Sequence, residues 1–370
     1  MSVHTIMLDF SIDPNRVGDA KGQKSVYDSI VEKLNEHFVK LTFLSELKID
    51  GGSLKLYSSD RGSIFYIRIY ERGLITINLE YYKVENEDPL ISFDSARDLK
   101  NKIYTFCSMN KCHAYPTVKR GDFCRYFPTS DERLMEYDID EILFDDHSQF
   151  QKVQILHSKS LGNMLVLDEL QNIAESDLIY TETLMQRGKE NYENKEIIIL
   201  GGGDGALLYE LLKEKPKFVT MLEIDEMVMK ACSKHLRSIC GDVLDQLRGV
   251  NYEIIVGDCL DTLKKFINDN HKVDYIFGDL TDIPISKSTQ SDLTWSFIKV
   301  IMKMSFEVLN PKGKFMTHGN GSANPESLKL FEEHLEAISP PVNYTKTEAF
   351  VPSFLENWVF YQINQKSAQY

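Results

Sequence analysis

The sequence predicts an α/β protein, with a doubly wound parallel sheet in its C-terminal half and two smaller units ahead of it. From about Ala174 onward, apolar strand-like runs alternate with amphipathic helical segments, the texture of a parallel sheet with helical crossovers. One of those runs, Ile197 to Leu200, leads straight into Gly201, Gly202, Gly203, Asp204 and Gly205 and then a helix. The chain has 370 residues, more than the roughly 100–150 of a usual domain, so a single core is not expected.

Residues 1–108 read as an α+β unit. Val26, Ile30, Leu34 and Phe38 recur every four residues and mark one helical face. Residues 63–70 and 74–82 are rich in β-formers on either side of Arg72 and Gly73, which predicts an antiparallel hairpin. A second helix begins near Ser92 or Asp94, either a suitable cap, and runs through Leu99 and Ile103. Between Cys107 and Cys124 the sequence mixes Pro116, Gly121 and charges without a period, so a linker is expected there. Short strand-like segments at 134–144, 153–157 and 164–167 complete a β-module, giving a linker and central β-module over 109–173. In the remaining domain, 174–370, strands are expected at 196–200, 218–222, 252–256, 273–277, 314–317 and 358–363. Helices are expected at 206–213, 226–236 and 295–309.

Composition excludes several classes. The formal net charge is -14, which disfavours binding to a phosphate backbone and favours cationic ligands. No apolar run approaches the roughly 18 residues of a membrane span, and the N-terminus has no basic segment ahead of an apolar one. Six cysteines without a CxxC pair read as free thiols in a reducing, cytoplasmic setting. Cys107, Cys112, His113 and Cys124 have no usual zinc-ligand spacing.

Chemistry is expected at the C-terminal ends of the strands. Gly201, Gly203 and Ala206 satisfy GxGxxA between a strand and a helix, a turn that lets a nucleotide-type ligand approach the backbone and fits a Rossmann-like, methyltransferase-type sheet. Asp204 inside that turn would repel a phosphate or carboxylate and attract an ammonium group, so the ligand there is expected to be cationic. Glu223 ends the second strand, where a carboxylate can take ribose hydroxyls. Asp258 ends the third, and Asp279 the fourth. No Ser-His-Asp set, activated cysteine, phosphate-loop lysine or histidine cluster accompanies them. Carboxylates and aromatics suit transfer from an adenosyl sulfonium to an amine, because a carboxylate both binds ammonium and removes its proton.

Five separated segments carry a family resemblance. They are Arg125 to Thr129, Leu156 to Asn163, Ala174 to Thr181, Leu200 to Gly205 and Val351 to Phe360. Together they resemble the spermine synthases of the polyamine aminopropyltransferase family. Gly62 to Tyr70 and Gly73 to Ile75 resemble that family's N-terminal domain, itself similar to part of S-adenosylmethionine decarboxylase. The resemblance implies transfer of an aminopropyl group from decarboxylated S-adenosylmethionine to spermidine, giving spermine and methylthioadenosine. It implies no metal and no cofactor, the sulfonium donor being a co-substrate, and a homodimer formed through residues 1–108. By motif, Asp279 is the proton acceptor, Asp204 and Tyr180 position the amines, and Glu356 holds the distal amine of spermidine. Gln151, Gly201, Gly203, Glu223, Asp225, Asp258 and Cys259 surround the nucleoside.

Two departures bear on the acceptor. Phe354 stands where a tyrosine is expected, removing a hydroxyl from the polyamine site. Asp282, three residues after Asp279, resembles the paired acids of spermidine synthases, which take putrescine. A putrescine enzyme, a small-molecule methyltransferase and a catalytically silent binding protein therefore remain as alternatives.

Overall fold

The computed structural model describes residues 2–121, 124–280 and 289–366, with side chains from 293 onward in the last segment. The chain divides into two compact units, Met1–Arg125 and Tyr126–Tyr370.

The first unit begins with β1 (Ser2–Ser11), followed by α1 (Ala20–Asn35), β2 (Thr42–Ile49), β3 (Gly52–Ser58), β4 (Ile64–Tyr70), β5 (Leu74–Lys83) and α2 (Phe93–Phe106). Asp19 caps α1 by accepting from the Gly22 N–H at 2.7 Å, and Ser92 caps α2 by accepting from Ser95 at 3.1 Å. The expected hairpin is β4–β5, in antiparallel register from Ile64 opposite Glu80 to Ile69 opposite Ile75. Alternation along β1, β4 and β5 turns Leu8, Phe10, Ile67, Ile69 and Ile77 into one core, against Ile30 and Leu34 of α1 and Leu99 and Ile103 of α2.

The expected linker is corrected. Residues 111–121 hold β6 (Lys111–Ala114) and β7 (Val118–Gly121), and both pair antiparallel with β1, at Leu8–Ser11 and Ser2–Thr5 respectively. The first unit therefore runs to Arg125, past the expected boundary at 108. Two short, solvated edge strands carry charges on their open side and show no apolar period, which is why the segment reads as a linker.

The second unit opens with a hairpin, β8 (Tyr126–Pro128) and β9 (Leu134–Glu136), and a four-stranded meander, β10 (Ile139–His147), β11 (Lys152–Ser158), β12 (Gly162–Leu167) and β13 (Leu170–Ala174). Then come α3 (Leu178–Leu184), β14 (Glu196–Gly201), α4 (Ala206–Lys213), β15 (Phe218–Glu223), α5 (Glu226–His235), α6 (Arg237–Cys240), β16 (Tyr252–Val256), α7 (Cys259–Asn268) and β17 (Val273–Asp279). The chain closes with α8 (Thr289–Val308), β18 (Leu309–Gly321), α9 (Pro325–Glu336), β19 (Val342–Val351) and β20 (Glu356–Gln365). The large sheet has the order β16-β15-β14-β17-β18-β20-β19. Its first five strands are parallel, while β20 runs antiparallel to both β18 and β19. Strand order reverses between β14 and β17, which is where a ligand crevice belongs in a doubly wound sheet.

The separation of the β-module from the α/β part is also corrected. Val153, Ile155, Leu165 and Ile173 of the meander share one core with Ala206 of α4 and Val228, Ala231 and Cys232 of α5. The meander leans on α5 and walls one side of the sheet's crevice.

Candidate active site

A crevice of about 480 Å³ opens at the C-terminal ends of β14, β15 and β17, lined on its far side by the meander. Two glycines shape its floor. Gly201 has φ 82, and a Cβ there would lie 2.0 Å from the Asp279 carbonyl oxygen, so only glycine lets the end of β14 abut the end of β17. At Gly203 a Cβ would come within 2.8 Å of a Glu223 carboxylate oxygen. The glycine-rich turn, which carries Asp204, thus packs closely against two further acidic residues, Asp279 and Glu223.

Asp204 lines the crevice, and its Oδ1 reaches past the N-cap Gly205 to accept from the N–H of Ala206, the first residue of α4, at 2.8 Å. Burial, reinforced by the neighbouring Asp279 charge, pushes its carboxyl up to about 7. Tyr180, 8% exposed on α3, donates its hydroxyl to Asp279 Oδ1 at 3.2 Å. The Tyr180 ring meets Phe354 edge-on at 5.9 Å and Phe360 at 5.1 Å, and both Tyr180 and Phe354 face the crevice. This corner joins a carboxylate to an aromatic wall, which suits an amine carried on an apolar chain.

At the other strand ends, Glu223 is 7% exposed and accepts from the Asp225 N–H at 2.7 Å, and burial pushes its carboxyl up to about 7. Asp258 is exposed, caps α7 by accepting from Leu260 at 2.9 Å and lines the crevice. Cys259 beside it is buried, its thiol pushed up to about 11 by burial, so it serves as an apolar wall and not as a nucleophile. Gln151 reaches the crevice from the turn before β11.

Two expected site residues are placed elsewhere. Asp225, 1% exposed, is not on the crevice wall: its Oδ1 caps α5 at Met227, and its Oδ2 accepts from Ser148 Oγ at 2.7 Å and Gln151 Nε2 at 3.1 Å. It holds the side chain of Gln151, which lines the crevice. Glu356, 7% exposed, is also off the wall, with Oε1 accepting from the Ser130 N–H at 2.9 Å and Oε2 from Ser130 Oγ at 2.7 Å. These two bonds hold the 129–133 turn against β20. Asp282 lies outside the described residues.

His318, not anticipated from the sequence, also lines the crevice. It follows the expected 314–317 run, and the β17–β18 register pairs Gly278 with Thr317, the residues just before Asp279 and His318. The strand-end rule that singles out Asp279 does not find His318, because β18 continues past it to Gly321 and pairs it with Phe360 of β20. Among the described residues, no three His, Cys, Asp or Glu side chains form a metal-holding group.

The fold is a doubly wound sheet with an acidic, aromatic crevice at its switch point, an arrangement chemically suited to a ligand with cationic groups. A family model described as a spermine/spermidine synthase domain matches residues 177–370, and one described as a spermidine synthase tetramerisation domain matches residues 125–175. A polyamine aminopropyltransferase of Pyrococcus abyssi is 25% identical over 63% of this chain and 85% of its own length. Polyamine aminopropyltransferase 1 of Hyperthermus butylicus is 30% identical over 59% and 73%, and the thermospermine synthase ACAULIS5 of Arabidopsis thaliana 28% over 63% and 67%. Among solved structures, spermidine synthase from Thermotoga maritima aligns with TM-score 0.51 at 19% identity, over 66% of this chain and 79% of that one. A spermidine synthase in complex with the transition-state analogue AdoDATO aligns with TM-score 0.54 at 21% identity, over 66% and 80%. The chain belongs to the spermine/spermidine synthase family, the aminopropyltransferases of polyamine biosynthesis.

Proposed function

We propose that the protein is a spermine synthase, transferring the aminopropyl group of decarboxylated S-adenosylmethionine to spermidine. The observation that carries this reading is the meeting of Asp204, Asp279 and Tyr180 in one crevice, with Glu223 and Asp258 along the same floor. Glu223 takes the ribose hydroxyls, and Asp258, Cys259 and Gln151 border the adenine. Asp204 faces the donor's ammonium group, which discriminates against intact S-adenosylmethionine because its carboxylate would meet a like charge. Spermidine as acceptor is supported by the resemblance of the N-terminal unit and of the 174–181 segment to spermine synthases.

The reaction follows from these positions. An aliphatic amine is protonated at pH 7, with a pKa near the 10.4 of lysine, and cannot attack in that form. Asp279, oriented by the Tyr180 hydroxyl, accepts the proton as the nitrogen lone pair attacks the donor methylene next to sulfur. The new C–N bond forms as the C–S bond breaks, its electron pair stays on sulfur, and the sulfonium becomes neutral methylthioadenosine. The crevice aligns the two reactants, converting a bimolecular step into an effectively unimolecular one.

The N-terminal unit is proposed to form a homodimer and the protein to work in the cytoplasm, supported by the six free cysteines. Neither nucleic acid nor membrane is expected as a partner. The test is product analysis by mass spectrometry with decarboxylated donor and equal spermidine and putrescine in one tube. Spermine as the dominant product supports the reading, provided that Asp279→Asn lowers turnover about 10²- to 10⁴-fold. Spermidine from putrescine would make it a putrescine enzyme, and thermospermine would place the attack at the other end of the acceptor. Methyl transfer from intact S-adenosylmethionine would make it a methyltransferase, and nucleoside binding without turnover a silent relative.

A further inference from the structure

One buried carboxylate takes no part in these steps. Asp177, immediately before α3, is 1% exposed. Its Oδ2 accepts from the Ala174 N–H at 2.7 Å, and its Oδ1 from the Ser353 N–H at 2.9 Å. Ser353 sits in the 3₁₀ turn Pro352–Phe354 between β19 and β20 and is itself fully buried. The carbonyl of that same Ser353 accepts from the Tyr137 hydroxyl at 2.6 Å, donated from the junction of β9 and β10. Both backbone polar groups of one residue are thus held by side chains from two distant parts of the chain.

The arrangement asks more than packing would. Burial pushes the Asp177 carboxyl up, opposed by the hydrogen bonds from Ser353 and Ala174. A buried acid is costly unless its oxygens are satisfied, and here they reach the N–H groups of Ala174, at the end of β13, and of Ser353 in the turn. The held turn is also strained, since Leu355 after it has φ 55, a left-handed conformation uncommon for a branched side chain.

The turn and α3 each deliver one ring to the crevice. The Tyr180 N–H donates to the Asp177 carbonyl at 2.8 Å, so Tyr180 lies one helical turn from the clamp, and Phe354 directly follows Ser353. Between them the two rings wall the corner in which Tyr180 meets Asp279. We propose that Asp177 and Tyr137 clamp Ser353 and thereby set the gap between Tyr180 and Phe354, making them positioning residues for the acceptor amine. This rests on the reading of that corner as the acceptor end of an aminopropyltransferase site.

The test compares Tyr137→Phe and Asp177→Asn with the unaltered protein in steady-state kinetics, varying acceptor and donor separately. Methylthioadenosine binding by calorimetry and the thermal midpoint are measured alongside. The expected result is an acceptor KM raised about tenfold, the size of one lost hydrogen bond, with kcat lowered. Donor KM and methylthioadenosine affinity stay within about twofold, because the clamp touches neither Glu223 nor Asp258. Should Asp177→Asn fail to fold, Tyr137→Phe, which removes a single oxygen, decides the matter. Folded variants with an unchanged acceptor KM overturn the clamp, and so does a parallel decline in donor and acceptor parameters, which is the mark of general loosening. If the unaltered protein transfers no aminopropyl group, the proposed function itself falls, a result distinct from an active enzyme with indifferent variants.

Discussion

Asp204 joins a contact of the fold to the ligand role proposed for it. Its Oδ1 accepts from the first N–H of α4, while burial and the nearby Asp279 charge push the group up to about 7. The folded protein therefore holds a proton there that the unfolded chain releases near pH 4, so this group's contribution to stability falls as pH rises from about 4 through about 7. A bound ammonium group favours the ionised form and reverses that loss. Affinity for decarboxylated S-adenosylmethionine should then tighten as pH rises through about 7, with proton release measurable by calorimetry in buffers of different ionisation enthalpy. Methylthioadenosine, which lacks the ammonium group, should show a shallower dependence, and Asp204→Asn should flatten the dependence for the donor. Equal slopes for the two ligands would remove Asp204 from donor recognition. Asp204 was legible from the glycine-rich turn that holds it, and Glu223, Asp258 and Asp279 because each closes an apolar run at a strand end, a position that sequence patterning reveals. Asp225 and Glu356 were not, because their partners Ser148 and Ser130 are brought to them only by the tertiary fold. A carboxylate next to a motif looks the same in sequence whether it faces a ligand or a backbone N–H.

Among the elements, the strands of the parallel sheet were the most legible, since burial on both faces makes each a continuous apolar run. The N-terminal strand β1 and the short edge strands beside it were the least. In β1 the apolar residues alternate with Thr5 and Asp9, and β6 and β7 are four residues each, too short to show any period. β2 is an edge of a different kind. It ends the sheet order, and Phe43, Leu44 and Leu47 along it are each at least 50% exposed. A long apolar edge strand is a site of association unless something covers it, and a second copy of the first unit is the occupant that the proposed homodimer supplies. Leu44→Lys combined with Leu47→Lys should lower the mass measured by light scattering toward that of the monomer while leaving the thermal midpoint of the second unit in place. An unchanged assembly would move the contact to residues 125–175, the stretch matched by the tetramerisation model.

For the whole molecule, the two compact units predict how the chain tolerates cutting. Every described residue lining the crevice belongs to the unit Tyr126–Tyr370, whose meander and sheet share cores of their own. A fragment of residues 126–370 should therefore fold cooperatively and bind methylthioadenosine with affinity close to that of the full chain, while losing the association proposed for the first unit. The boundary suggested by composition, residue 108, should behave differently. A fragment starting at 109 keeps β6 and β7 but lacks β1, their pairing partner, and exposes two strands with open hydrogen-bonding edges. Circular dichroism melts, calorimetry with methylthioadenosine and size-exclusion chromatography on the two fragments separate these expectations. The longer fragment should aggregate more readily although it contains more of the native chain, because stability follows completed strand pairing and not length. If the fragment starting at 126 bound no nucleoside, the crevice would depend on the N-terminal unit, and the catalytic half could not be treated as self-sufficient.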